Sequence, residues 1–313
     1  MVRKISINDL QNAVNGAYEE YKDLKKGAVD PRLGTVNGDA FGITVMLTDG
    51  RKIERGDVTA RVALGNIATM PVHKLLFEQY TVKGLAKKAG KTSNHAVREF
   101  KLPVNTHLVK AVSLVEPQND KDGKYNLIMD SILDMMGSEP VLDDKLYQTL
   151  SKEIIDDNVE NKMAEAGFEI FDNAKTTLDD VAKLESLTVT TTQLATMGAT
   201  IAADGVNPVT NQTVFDGSLS APLTTIAAVE GNPSRNRRWL LKSGVPAVFS
   251  FAGLVLAIMP GVGAIAAYGP EVGKHGRSKK GARAVRYITN TLGYNVFGSA
   301  RIEFVGKEEP VMA

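Results

Sequence analysis

The sequence contains no cysteine, one tryptophan and four histidines (His73, His95, His107, His275). The missing thiols exclude disulfides, thiolate metal sites and a cysteine nucleophile, so covalent chemistry must rest on Ser, Thr, Lys or a carboxylate. The histidines form no i, i+4 pair and no H-E-x-x-H stretch, and they read as structural or surface side chains, with no metal expected. Neither sign of charge is in excess. With 37 Lys and Arg against 36 Asp and Glu the net charge is +1, which removes any global reason to expect nucleic acid or an anionic membrane as partner. The most apolar run, 253 to 269, spans 17 residues and carries Pro260, Gly261 and Gly263 in its middle. Two short strands joined by a turn account for it better than a membrane helix. The opening "MVRKISINDLQNAV" turns polar too soon to supply the apolar core of a signal peptide, and the protein reads as cytoplasmic.

What is present is an enzyme-sized body of 313 residues with 43% hydrophobic content, ordinary for a globular protein. Ser6 to Lys26 carries Leu10, Val14, Ala17, Tyr21 and Leu24 at helical spacing, with Ser6 as cap and Asp9 three residues on, so an amphipathic helix is expected. "AFGITVMLTDGRKIERGD" places the turn dipeptide Asp49-Gly50 between two β-rich runs, the pattern of a hairpin. From about 61 to 239 the periodicity is mostly helical, as in "YNLIMDSILDMM" and "TTTQLATMGATIA". β-rich runs return in "GLVLAIM" and "GAIAAYG", followed by a helix near "RAVRYITNTLG" and a last strand near "ARIEFV". The expectation is one α+β domain over 1–313. Its central antiparallel sheet comes from both termini (about 1–60 and 240–313) around a large helical insert (about 61–239).

Several motifs carry competing readings. Gly261-x-Gly263-x-x-Ala266 resembles a dinucleotide loop, but its apolar continuation reads as a strand and no acidic residue follows about 20 positions on. Two basic stretches, "SRNRRW" at 234–239 and "KHGRSKKGARAVR" at 274–286, offer either a grip for phosphate or carboxylate or simply solvated faces. "KSGV" at 242–245 has the order that serine acyl-transfer enzymes place opposite their nucleophile.

Taken in order, these segments resemble the serine-dependent glutaminase family, whose catalytic domain has the β-lactamase/DD-peptidase-like fold. "DAFGITVMLTDGRKIERGDVTARVAL" is similar to the family's opening hairpin. "LTVTTTQLATMGATIAADGVNPVTNQTVF" is similar to the helix and Gly-Val-Asn-Pro loop after the domain's middle. "GLVLAIMPGVGAIAAYGPEVGKHGRSKKG" is similar to the late strand pair. The resemblance implies hydrolysis of L-glutamine to L-glutamate and ammonia through an acyl-enzyme on a serine, without a cofactor, in a homo-oligomer.

That chemistry needs Ser-x-x-Lys on one helix face, so that the amine can draw the hydroxyl proton. The family segment falls on "RVALGNIATMPV", which puts Asn66 at the serine position and Thr69 at the lysine position. None of the 14 serines has a lysine three residues on, and the one Thr-x-x-Lys, Thr149 with Lys152, lies elsewhere. The family's tyrosine aligns with Val181 and its substrate-binding asparagine with Val109. Glu153 with Asn158 or Asn161 stands for its glutamate and asparagine. The Lys-Ser-Gly motif has two placements: literally on Lys242, Ser243 and Gly244, followed by Val245, or without gaps on Val248, Phe249 and Ser250. The expectation is a family member without the acyl-enzyme chemistry, acting as a binding or regulatory protein for a small amino acid such as glutamine or glutamate. The alternative is an active amidohydrolase with a non-standard nucleophile such as Thr69. A third outcome is a scaffold whose cleft is filled by Asn66, Val109 and Val181.

Overall fold

A computed structural model describes residues 2–88, 104–231, 236–273, 276–298 and 301–305. His95, His275 and parts of the two basic stretches lie outside the described residues. The chain opens with β1 (Val2–Ser6) and α1 (Ile7–Tyr21). Ser6 and Asp9 form a reciprocal capping box, each side chain accepting the other's backbone N–H, which satisfies two otherwise orphan donors. α1 ends at Tyr21, short of the expected Lys26. Tertiary pairing wins there: the Lys26 N–H donates to Glu271 and Ala28 bridges Val272.

The hairpin of β2 (Gly42–Leu47) and β3 (Lys52–Gly56) follows, then the short β4 (Val62–Ala63) and α2 (Thr69–Lys88). The helical portion continues with α3 (Thr106–Leu114), α4 (Lys121–Met136), the short β5 (Val141–Leu142), α5 (Asp144–Asp156), α6 (Val159–Glu165) and α7 (Ala174–Ser186). It closes with β6 (Leu187–Val189), α8 (Thr191–Ala202), α9 (Ser220–Val229) and α10 (Asn236–Ser243). The chain then returns to sheet with β7 (Ala247–Phe249), β8 (Leu254–Met259) and β9 (Gly263–Tyr268), and finishes with α11 (Lys279–Leu292) and β10 (Arg301–Val305).

The main sheet is antiparallel in the order β3-β2-β9-β8-β7. Its seam is β2 against β9, with Gly42 opposite Tyr268 and Leu47 opposite Gly263, so the two ends of the chain meet in the middle of one sheet, as the α+β reading expects. Every residue of β2, β8 and β9 is buried. α1 and α11 cover one face and α8 the other, which is why these strands read as unbroken apolar runs without alternation. α8 lies close because Gly198 faces the sheet, where a Cβ would stand 2.6 Å from both Ala264 and Leu256. A buried hydroxyl pair, Thr44 with Thr191 at 2.8 Å, joins α8 to β2.

Two expectations change. β10 pairs in parallel with β1 as a separate ribbon and does not extend the main sheet. β4, β6 and β5 form a small antiparallel sheet inside the helical portion, too short at two or three residues per strand to produce a period-2 signal. The segment Gly261–Ala266 is turn and strand, and holds no helix that could receive a pyrophosphate.

Candidate functional site

The segment expected to carry the nucleophile folds as a tight turn packed into the core of the helical portion. Leu64 donates its N–H to Leu187 of β6, and Gly65 then adopts φ +53°. Any other residue there would strain the backbone and press its Cβ to 2.6 Å from Ser250 Oγ. A 3-10 turn, Gly65–Ala68, runs into α2, and Pro71 sits in the first turn, where no N–H is required. From Val62 to Phe77 every side chain is buried except Asn66. Asn66 looks into an open cleft of about 890 Å³.

The cleft wall is charged. Among the described residues, Asp30, Glu153, Asp156, Asp157 and Glu185 line it together with one cation, Arg32, and with Asn105, Thr106 and Phe251. Asp30 caps a short 3-10 turn, Pro31–Leu33, and accepts both Nε–H of Arg32 at 2.8 Å and an Nη2–H at 2.7 Å. This two-point grip fixes the guanidinium plane, which lies 4.3 Å above the Phe251 ring with its remaining nitrogen 3.9 Å from Glu153. Glu185 projects from α7 and is only 4% exposed. Burial pushes its carboxyl up to about 7, against the pull of Arg32. The carboxyl therefore keeps its proton to a higher pH than an ordinary glutamate, and can donate or accept one where it meets the cleft.

Thr69 is buried and does not line the cleft. Its hydroxyl lies 3.1 Å from Nδ1 of His73, and the same nitrogen lies 2.8 Å from the Thr69 carbonyl. A carbonyl oxygen can only accept, so Nδ1 carries the proton and the imidazole cannot remove one from the hydroxyl through that atom. Nε2 faces Glu230 at 3.8 Å, and His107 approaches the same carboxylate at 3.9 Å. Burial holds His73 below its usual pKa, with Glu230 opposing. Among the described residues no group of three His or acidic side chains could hold a metal ion, and no helix is long and apolar enough to cross a membrane.

The structure brings Asn66 and Glu153 to one cleft and sends the other candidates elsewhere. Asn161 is exposed on α6 and donates to Asn158 at 2.8 Å. Lys242 and Ser243 end α10, Gly244 follows at φ +67°, and Val245 sits under Trp239, whose Nε1–H donates to the Val245 carbonyl at 2.8 Å. The Ser243 hydroxyl is spent on the Trp239 carbonyl. Lys242 opens on a crevice against α11, on the face of the sheet away from Asn66. The literal "KSGV" is thus a helix terminus, because the helix runs on through Lys242 before β7 begins. Of the ungapped placement, Ser250 stands beside the Asn66 turn and donates to the Ala63 carbonyl at 2.9 Å, while Phe249 packs edge-on against Trp239 in the other core; Phe251, one residue further on, lines the cleft. Val109 and Val181 are fully buried in the helical core and leave the cleft unfilled.

Arg32, Glu185 and Phe251 were not singled out from the sequence. Glu185 left one signal, a carboxylate four residues after Val181 on the apolar face of α7. Arg32 left only the turn chemistry of Asp30-Pro31.

A family model described as Glutaminase matches residues 27–297. A glutaminase of Parabacteroides distasonis is 31% identical over 97% of this chain and 100% of its own. One of Bacteroides thetaiotaomicron is 32% identical over 95% and 97%. Among solved structures, the probable glutaminase ybaS superposes with a TM-score of 0.82 at 25% identity, covering 94% of this chain and 99% of its own. A probable glutaminase from Bacillus subtilis complexed with 6-diazo-5-oxo-L-norleucine shares the fold with a TM-score of 0.78 at 18% identity. The α+β architecture is the β-lactamase-like one of these neighbours, and by the extent of the match the chain belongs to the glutaminase family.

Proposed function

We propose that this chain uses the glutaminase cleft to bind a small amino acid without performing acyl-enzyme hydrolysis. The observation that carries the reading is Asn66, the one side chain of its segment that reaches the cleft. An amide nitrogen is a donor without a usable lone pair and cannot attack a carbonyl. No lysine accompanies it, since Thr69 stands at that place and turns its hydroxyl toward His73. Among the described residues, five carboxyl groups against one guanidinium suit a ligand that presents an ammonium group. Arg32 is already gripped by Asp30, so the cleft is better matched to glutamine than to the more acidic glutamate.

Calorimetry with L-glutamine and L-glutamate, run beside an ammonia-release assay, tests this. Binding without turnover is the expected result. Steady ammonia release from L-glutamine that is abolished by Thr69→Val overturns it. That second reading, an amidohydrolase using Thr69, is favoured by the 3.1 Å hydroxyl–imidazole contact and opposed by the proton on Nδ1.

A further inference from the structure

The two basic stretches, far apart in sequence, converge on one place. Arg238 and Lys242 from α10 meet Arg277, Lys279, Arg283 and Arg286 from the start of α11 and the turn before it. Together they line a crevice of about 290 Å³ whose wall, among the described residues, includes no acidic side chain. The chain as a whole carries a net charge of only +1, so six cations in one crevice are a local concentration that its composition does not force.

Such clustering works against folding, because like charges brought together repel. Among the described residues, Arg238, Lys242, Lys279, Arg283 and Arg286 have no ion-pair partner. The Nε–H of Arg286 is buried with no acceptor, a cost that a bound anion would relieve. Ring faces steady two of the forks: Arg277 lies 5.8 Å from the Phe249 ring centroid and Arg283 lies 6.0 Å from that of Tyr21. Ser278 is committed to capping α11 and to the Gly269 carbonyl, so the grip falls to the guanidinium and ammonium groups. The crevice opens at the first turns of α11, where the helix dipole adds to the same sign.

We propose that this crevice binds a ligand carrying two or more phosphoryl groups. Guanidinium forks match phosphoryl oxygens in pairs, and one carboxylate could neutralise only one of the six cations. Both a soluble phosphate ester and a phospholipid headgroup present this chemistry. The crevice and the Asn66 cleft lie on opposite faces of the main sheet, and this site does not depend on the function proposed for the cleft.

The test uses the full chain and the variant Arg238→Gln/Lys242→Gln/Arg283→Gln, whose three side chains are exposed and so removable with the fold intact, as thermal melting verifies. A control variant, Lys83→Gln/Lys87→Gln, removes exposed charge on α2. Inorganic tripolyphosphate is titrated by calorimetry, and flotation is measured with phosphatidylcholine vesicles with and without phosphatidic acid. Tripolyphosphate binding that weakens about 10-fold or more in the crevice variant and not in the control supports the proposal with a soluble ligand. Flotation with the phosphatidic acid vesicles, lost in the crevice variant alone, supports it with a headgroup. Absence of binding in both arms, or binding equal in the crevice variant and the parent, overturns it.

Discussion

The imidazole of His73 gives its Nδ1 proton to the carbonyl oxygen of Thr69, 2.8 Å away and one helical turn back. The Thr69 hydroxyl, 3.1 Å from the same nitrogen, is left as a second acceptor, inside the protein and out of the cleft. Thr69→Val should therefore leave ligand affinity unchanged and cost stability by about 0.5–1.5 kcal/mol, the worth of one hydrogen bond. Urea unfolding and calorimetry on the variant check both halves.

Glu185 ties stability to pH. Burial holds its carboxyl at about 7, above the ordinary glutamate value of 4.5. Below the lower value folded and unfolded chains are both protonated, and the group contributes no pH dependence. Between the two values the unfolded chain gives up a proton that the folded chain keeps, so stability falls as pH rises, by on the order of 3 kcal/mol in total. Above the higher value the loss is complete. Glu185→Gln should abolish this decline, so that urea unfolding compared at about pH 5 and about pH 8 shows a smaller difference than in the parent. An equal decline in both proteins would place the titrating group elsewhere.

Gly65→Ala should be costly for a side chain so small. The residue sits at φ +53° and the new methyl would meet Ser250 Oγ at 2.6 Å. Strain at such a position is worth about 1–3 kcal/mol. Because Gly65 adjoins Asn66, ligand affinity measured by calorimetry should fall with it.

Lys124 and Asp172 form an ion pair whose side chains are only 1% and 3% exposed. Lys124→Met strands a buried carboxylate and should cost about 3–5 kcal/mol. Asp172→Asn added to it removes that charge while keeping an oxygen for the backbone N–H groups of Asn119 and Asn173. The double variant should recover much of the loss in denaturant unfolding.

The fold was legible where local and tertiary signals agree. Ser6 with Asp9, Asp49-Gly50 and the apolar runs of β8 and β9 each name their element, because capping, turn chemistry and two-sided burial leave marks within a few residues. Of the cleft lining, Asn66 and Glu153 were legible through their place in the ordered segments. Arg32 and Glu185 were not, because what makes them part of a cleft is the approach of a surface turn to a helix far along the chain, which no local pattern records. "KSGV" misled for the converse reason. Four letters carry no backbone conformation, and the hydrogen bond from the Trp239 indole to the Val245 carbonyl fixes that stretch as a helix end.

The seam between β2 and β9 sets a schedule for folding. Ile43 faces Ala267 and Val45 faces Ile265, yet the whole helical portion lies between them in the chain. The hairpins β2-β3 and β8-β9 can each pair locally, but neither meets the other until that intervening length has been drawn together, so the entropy of closing the loop is spent before the seam returns anything. The two halves of the sheet are thus joined late by connectivity, even though the strands at their seam end fully buried.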